Sequence, residues 1–133
     1  MKNKALFTCI RNDWNTPKEL YKQLDKEFKF DFDPCPNKPD FDGLEIEWGF
    51  SNFVNPPYKT DIQNKFIKKG FEEFKKGKTV VFLIPARTDT KRWQDIIFPN
   101  ASEIRFLRGR LKFDDGGGTA TFPSAIIVFK NGK

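Results

Sequence analysis

Hydrophobic residues recur at helical spacing in three parts of the chain. The first begins with a good start signal: Thr16 is a capping residue, Pro17 suits the first helical position, and Glu19 completes a capping box. Each part gathers its apolar residues on one side, which predicts three amphipathic helices on a common core. The apolar positions are Leu20, Leu24 and Phe28 in the first helix, Ile62, Phe66, Ile67, Phe71 and Phe74 in the second (residues 61–76), and Trp93, Ile96 and Ile97 in the third.

Other parts of the chain have the pattern of β-strands. Apolar and polar residues alternate over residues 28–33, as in a short strand. Residues 79–84 form a continuous apolar, β-branched run, typical of a strand buried on both faces of a parallel sheet. Because helices and strands alternate, we predict an α/β layer fold with at least partly parallel strands, in a single domain of residues 1–133. Further strands are predicted at residues 50–54, 103–107, 110–113 and 124–129.

The composition excludes several classes of protein. A chain of 133 residues with 38% hydrophobic residues and 16 Phe suits one ordered domain. No apolar run approaches the roughly 18 residues that span a bilayer, and the start lacks a secretory signal, so we expect a cytoplasmic protein. Two cysteines are too few for a disulfide framework or a four-thiolate zinc site, and we expect no metal. The absence of His excludes an imidazole base.

Positive charge is concentrated in one part of the chain. The net charge is +6, and residues 59–113 alone carry 14 basic and 6 acidic side chains, a net +8. Such a concentration indicates a polyanionic partner. The alternative is a set of solvated helix faces.

The sequence Asn55-Pro56-Pro57-Tyr58 follows a predicted strand and suits methylation of an amino group. The exocyclic amine of a nucleobase is a poor nucleophile because its lone pair is delocalised into the ring. Two acceptors aimed at its hydrogens, the side-chain oxygen of Asn55 and the carbonyl of Pro56, would pull the nitrogen towards a tetrahedral shape. Successive prolines stiffen the turn, and a flipped base stacked on Tyr58 gains about 1–3 kcal/mol.

The alternative is that these four residues only make a turn after a strand. Their place favours a site, because open α/β sheets bind ligands at the carboxyl ends of their strands. The tetrapeptide resembles the catalytic motif of S-adenosylmethionine-dependent amino-methyltransferases, and most of the chain resembles one group of them, the phage-type DNA N6-adenine methyltransferases. The resembling stretches are Trp14-Asn15-Thr16-Pro17, residues 30–34, Asp42-Gly43-Leu44 with Trp48, Asn55-Pro56-Pro57-Tyr58, residues 83–90, residues 108–113 and Phe122-Pro123-Ser124.

The resemblance implies a compact, reduced Rossmann-like methyltransferase sheet, mostly parallel with an antiparallel last strand. It implies DNA as substrate, S-adenosylmethionine as methyl donor, and the cytoplasm of a bacterial or phage-infected cell as location. It places Trp14, Thr16 and Pro17 where the methionine end of the cofactor is held, and a helix amino terminus there favours a carboxylate. For Trp14, a core position is the alternative.

The resemblance also places Asp33 and Pro34 at the cofactor motif after the first strand. Asp42, in the matched Asp-Gly-Leu, is a candidate for the acid that holds the cofactor ribose, and Asp31 is another. The alternative for these acids is a solvated surface. Cys35 superficially resembles the nucleophile of cytosine-C5 methyltransferases, but that chemistry needs no acceptor pair, so a small packed thiol is favoured.

The chain departs from the family between Asp33 and Asn55. Only 22 positions separate them, and no glycine-rich loop follows Asp33. Full-size methyltransferases have several strand–helix units in this interval. The departure motivates an alternative function, a non-catalytic nucleic-acid-binding module derived from such an enzyme.

Basic residues outside the tetrapeptide are candidates for contact with DNA. Arg87 and Thr88 follow the buried strand and are expected at the carboxyl edge of the sheet, beside the target base. The alternative role of this loop is to cap the third helix, with Thr90 or Asp89 as the capping residue. Arg108 and Arg110 lie in a predicted turn and, with Lys112, are candidates for phosphate contacts, with surface solubilisation as the alternative. Phe122-Pro123-Ser124 is either core entry or pocket rim.

The sequence therefore predicts a DNA methyltransferase that transfers a methyl group from S-adenosylmethionine to N6 of adenine. Related tetrapeptides occur in enzymes that act on RNA, on cytosine N4 and on protein glutamine, and these acceptors stay open. The basic segment favours nucleic acid over protein. The preference for adenine rests on the resemblance.

Overall fold

The structure, a computed structural model, describes residues 16–36, 40–113, 118–119 and 122–131. Within these ranges, none of the helices is long and apolar enough to cross a membrane. In the same residues, no three His, Cys, Asp or Glu side chains are grouped so that they could hold a metal ion. The elements are α1 (Lys18–Phe28), β1 (Ser51–Val54), α2 (Thr60–Lys75), β2 (Thr79–Pro85), a π-helical segment (Arg92–Ile97) that continues into α3 (Phe98–Asn100), β3 (Glu103–Phe106), β4 (Lys112–Phe113), β5 (Gly118–Thr119) and β6 (Ser124–Phe129).

Four strands form a mixed sheet in the order β1–β2–β6–β3. β1 and β2 are parallel, whereas β6 pairs antiparallel with both β2 and β3. The α/β class and the reversed last strand agree with the prediction. In the described sheet, β1, β2 and β3 run in one direction and only the last strand, β6, is reversed, so the predicted strand directions are confirmed, although β6 lies inside the sheet and both of its ladders are antiparallel. A Rossmann-like relationship stays a prediction.

Helices cover both faces of the sheet because the strand side chains alternate between the two sides. In β2, Val80 and Phe82 pack towards α2 and the π-helical segment, in one cluster with Phe66. The intervening Val81 packs in a second cluster with Leu24 of α1. β2 is therefore buried on both faces, as its apolar run predicts.

The start of α1 differs from the prediction. Pro17 has ψ 133°, outside the helical range, so the helix begins at Lys18 and Pro17 is its N-cap residue, without a side-chain cap among the described residues. The predicted cap at Thr16 is therefore wrong, and the capping box with Glu19 does not form. The hydroxyl oxygen of Thr16 instead accepts a hydrogen bond from the side chain of Asn55.

The predicted strand at residues 28–33 is reduced to one parallel bridge, between Phe32 and Asn52. α1 extends through Phe28, and Lys29 ends the helix in the left-handed region at φ 53°. The N–H of Phe30 then bonds to a side-chain oxygen of Asp25 at 3.0 Å, so it is not available to a ladder. Residues 31–33, hereafter the edge segment, lie beside β1 and run parallel to it.

The third predicted helix is present as the π-helical segment and α3. The predicted cap at Asp89 or Thr90 is wrong, because no described side chain caps this segment and the Thr90 hydroxyl donates to the Arg87 carbonyl at 2.7 Å. Further along, β4 and β5 pair as a small separate hairpin.

Candidate active site

Four connections meet at one edge of the sheet, where β1, β2 and β3 end and β6 begins. The motif turn, residues 55–58, follows β1, and a loop of residues 86–91 follows β2. Because β6 runs in the opposite direction, it begins at this same edge, with Ser124 paired to Pro85. Phe122 precedes β6 and therefore lies here too. This carboxyl edge thus collects the tetrapeptide, the Arg87 loop and Phe122, which lie far apart in the sequence.

The motif turn is held from two sides. Asn55 is 2% exposed and donates from Nδ2 to Thr16 Oγ1 at 3.0 Å. Because the amide is planar, this contact directs its oxygen to the side away from Thr16. The carbonyl of Pro57 accepts from Gln63 Nε2 at 3.3 Å, so the fully buried Gln63 side chain fixes the far end of the turn. Asn55 is almost completely shielded, so a substrate must displace part of what covers it.

The side chain of Tyr58 forms an aromatic cluster with the start of β6. Its half-buried ring meets the ring of Phe122 edge to face, with centroids 5.3 Å apart. The guanidinium of Arg87 lies 5.5 Å from the centroid of the Phe122 ring. Three motifs of the sequence therefore contact one another here. Phe122 is partly exposed and lies at the rim of the site rather than in the core.

The cofactor candidates Asp33 and Pro34 lie on the opposite side of β1 from β2. The half-buried Asp33 follows the bridge of the edge segment, and its Oδ1 accepts the N–H of Cys35 at 2.8 Å. Burial, then the charge of Asp25 and then that of Asp33, raise the pKa of Tyr21 on α1. Asp33 therefore lies near α1. Thr16, which precedes this helix, contacts the motif turn.

Asp42 lies in a turn that packs against Pro34. Its Oδ1 accepts the N–H of Leu44 at 3.0 Å, so this carboxylate holds its own turn. Gly43 faces the Pro34 carbonyl so closely that a Cβ there would lie 2.0 Å from the oxygen. The Gly43 carbonyl accepts from the Trp48 ring nitrogen at 2.7 Å. The matched Asp-Gly-Leu and Trp48 thus hold the backbone next to Asp33. Cys35 is fully buried in the same core, and Asp31 holds the turn before β1 through Ser51.

Arg92 brings a buried positive charge to this edge. The residue is 6% exposed, and NH1 donates to Asn64 Oδ1 at 2.9 Å. Burial, and then the nearby charge of Arg87, lower the pKa of Arg92, while the charge of Asp89 opposes them. The guanidinium therefore lies between α2 and the loop after β2.

The remaining candidates for DNA contact are spread more widely. The backbone carbonyl of Thr88 accepts from Gln94 Nε2 at 2.6 Å, which fixes the loop beside Arg87. Arg108 and Arg110 are exposed, follow β3 and flank Gly109, whose φ is +70°. β3 is three strands from β1, roughly 14 Å across the sheet. The side chain of Lys112 lies outside the described residues, as does the whole of Trp14.

Two residues of this edge, Gln63 and Arg92, are absent from the sequence-based predictions. A signal for Gln63 exists, because it lies three positions before Phe66 and so continues the apolar stripe of α2. A polar residue in such a stripe is buried with a partner. For Arg92 the sequence offers no signal, because it stands beside Lys91 in a charged stretch that resembles any exposed helix start.

Fold and site together define an α/β protein with a polar turn at the carboxyl edge of its sheet, where proteins of this class bind ligands. Comparison with protein families defines it further. Residues 4–129 match the family described as DNA N-6-adenine-methyltransferase (Dam), and the chain belongs to this family. The resemblance seen in the sequence is confirmed. No curated protein sequence matches the chain.

Proposed function

We propose that this chain, as a single domain, transfers a methyl group from S-adenosylmethionine to N6 of adenine in DNA. The observation that carries the proposal is the orientation of the Asn55 amide. Its nitrogen is held by Thr16 at 3.0 Å, so its oxygen is presented on the other side of the group. The family match supports adenine in DNA as the acceptor.

The motif turn activates the amine by accepting hydrogen bonds from it. Asn55 Oδ1 and the Pro56 carbonyl would each accept a hydrogen bond from one N–H of the adenine amino group. These contacts would draw the nitrogen out of conjugation and free its lone pair for in-line attack on the methyl group, whose bond to sulfur would break as S-adenosylhomocysteine leaves. Rate enhancement comes mainly from positioning the two reactants. The proton leaves after the transfer, so a chain without His needs no imidazole base.

Tyr58 supplies the surface on which the flipped adenine stacks. Its edge-to-face contact with Phe122 at 5.3 Å fixes the ring without covering both of its faces. The guanidinium of Arg87 lies over the Phe122 ring in turn. Tyr58→Phe is therefore expected to retain much more activity than Tyr58→Ala, because stacking needs the ring rather than the hydroxyl. Equal activity of the two variants in a transfer assay would contradict stacking.

The residues on the far side of β1 fit the cofactor by their chemistry. S-adenosylmethionine supplies the activated methyl group and carries hydroxyl, ammonium and carboxylate groups. Asp33 offers a carboxylate to the first two, and the backbone N–H groups at the start of α1 suit the third. Thr16 and Pro17 shape that start, and Trp14 precedes it. Each of the two acids holds a turn through its Oδ1. The proposal gives the cofactor to Asp33 before Asp42 because Asp33 is half-buried, whereas Asp42 is only 9% exposed.

The proposal is tested by incubating the protein with isotope-labelled S-adenosylmethionine and DNA, RNA or protein, followed by mass analysis of nucleosides and amino acids. The expected product is N6-methyladenine in DNA. Label in N4-methylcytosine, in RNA or in glutamine would assign a different acceptor. No label in any fraction would reject methyl transfer.

A second candidate function is a nucleic-acid-binding module that has lost catalysis. The shielding of Asn55, which is 2% exposed, favours it, as does the short interval between Asp33 and Asn55. Calorimetry with S-adenosylhomocysteine separates the two candidates. Saturable binding supports the enzyme, and salt-sensitive DNA binding without any binding of S-adenosylhomocysteine supports the module.

A further inference from the structure

Arg92 is a buried cation without a carboxylate partner among the residues that the structure describes. It is 6% exposed, and its hydrogen bond from NH1 goes to the neutral amide of Asn64 at 2.9 Å. Its Nε is buried and has no hydrogen-bond partner in the described part of the chain. Removing a charge from water is costly unless an opposite charge is paired with it. The fold alone therefore leaves this guanidinium incompletely compensated.

The surroundings of Arg92 add positive charge. Arg87 lies close enough to disfavour the charged form of Arg92, and Asp89 is close enough to favour it, but Asp89 is exposed and forms no ion pair with Arg92. Asn64 contributes only a neutral oxygen. The two arginines thus form a positive site for which an external anion is the natural partner.

The position of Arg92 indicates that this anion belongs to the bound substrate. Arg92 follows the loop after β2 and bonds to α2, the helix that begins directly after the motif turn. Gln63, the neighbour of Asn64, holds the Pro57 carbonyl of that turn. Of the proposed cofactor residues, Asp33 lies across β1, beside the edge segment, and Thr16 precedes α1, which packs on the opposite face of the sheet from α2. An anion at Arg92 therefore lies on the nucleic-acid side of Asn55.

We propose that Arg92 binds a backbone phosphate of the DNA strand beside the flipped adenine, an inference that rests on the proposed function. A guanidinium presents several donors in a fixed fork that fits phosphate oxygens, which a neutral amide fills only in part. Arg87 strengthens the same site from the loop. This phosphate positions the strand without reading its sequence.

The test measures binding of a short fluorescein-labelled oligonucleotide to the full chain across a range of salt concentrations. Arg92→Met is expected to weaken binding about 10-fold and to lower the slope of log K against log salt by about 1, because one phosphate contact is lost. Lys22→Met removes one exposed charge from α1, on the opposite face of the sheet, and is expected to leave the slope unchanged. An unchanged slope in Arg92→Met would overturn the proposal.

A purely structural role for Arg92 makes a different prediction. It would lower the Tm of Arg92→Met and leave the salt slope of the folded protein as it was. The proposal expects a Tm equal to or above that of the wild type, since a buried charge without a carboxylate is replaced by an apolar side chain. Arg92→Lys keeps the charge and is expected to keep the slope. If Arg92→Met does not fold, Arg92→Gln removes the charge in its place, and an unchanged slope in this variant overturns the proposal.

The outcomes also separate this inference from the proposed function. If Arg92→Met reduces the slope of log K against log salt but the wild-type protein methylates no DNA, the phosphate site is supported and the proposed methyl transfer is rejected. An unchanged slope in a protein that forms N6-methyladenine would reject the phosphate site alone.

Discussion

Glu73 on α2 is a buried carboxylate held by four donors. It is 1% exposed, and its Oε2 lies 3.1 Å from both Lys69 Nζ and Lys76 Nζ. Its Oε1 lies 2.5 Å from Lys78 Nζ and accepts the backbone N–H of Trp48 at 3.2 Å. These contacts join α2 to the chain before β1. Glu73→Gln keeps the size of the side chain and removes its charge.

The size of the effect follows from the pKa of Glu73. Burial alone would raise this pKa, but hydrogen bonds from Lys78, Lys69, Lys76 and the Trp48 N–H outweigh it and lower the pKa from 4.5 to about 2. At about 1.4 kcal/mol per pKa unit, the charged form stabilises the folded state by about 3 kcal/mol at neutral pH. The folded pKa lies below the unfolded one, so this stabilisation is present above pH 4.5 and is lost as the pH falls to about 2.

Urea unfolding at neutral pH and at about pH 3 measures this contribution. Glu73→Gln is expected to lose about 3 kcal/mol at neutral pH, with a Tm lower by roughly 10 °C. Near pH 3 the difference from the wild type should shrink to about 1.4 kcal/mol, because Glu73 is already protonated in the unfolded chain at that pH.

Glu72→Gln is the matched control. Glu72 is 56% exposed on the same helix and pairs with Lys75 at 3.4 Å. Its loss is expected to stay within about 0.5 kcal/mol, as for most exposed pairs. The reasoning is refuted if Glu73→Gln loses no more than Glu72→Gln, or if its loss is the same at both pH values.

Three further changes test other contacts. Gly43→Ala places a Cβ 2.0 Å from the Pro34 carbonyl oxygen, so urea unfolding should show a loss of about 1–3 kcal/mol, and unchanged stability would contradict the packing. Gln63→Leu removes the hydrogen bond to Pro57, and methyl transfer should slow about 10-fold at unchanged Tm; an unaltered rate would contradict the positioning role. Arg105→Met removes the ion pair with Glu27 that joins α1 to β3 and the ion pair with Glu103 within β3. It should cost about 1 kcal/mol at low salt and less at high salt, whereas a salt-independent loss would contradict an ionic origin.

The sequence predicted most accurately the strands that are buried along their whole length. β6 has the predicted bounds, and β2 differs by one residue, because a strand covered on both faces is apolar throughout. The alternation at residues 28–33 led to a wrong prediction of a strand. Phe28 belongs to the end of α1, and Phe30 packs against Phe53 instead of joining a strand. Side-chain contacts distant in sequence decided between helix and strand there. No local pattern records them.

The site was predicted in part for a similar reason. Resemblance to known motifs marked Asn55, Tyr58 and Arg87, and the fold brings these to one edge. The hydrogen bond from Asn55 to Thr16 joins residues 39 positions apart, and helix capping gave a local explanation for Thr16 that proved wrong. Arg92 is buried only because α2 and the loop after β2 close around it.

The central claim is that the oxygen of Asn55 activates the adenine amine. Asn55→Ala tests it most directly when methyl transfer to DNA and the affinity for S-adenosylhomocysteine are measured on the same preparation. The account predicts a transfer rate lower by roughly 100-fold or more, with cofactor affinity nearly unchanged, because one acceptor of the transition state is gone. Transfer that survives the change, or a cofactor affinity that falls as far as the rate, would contradict it.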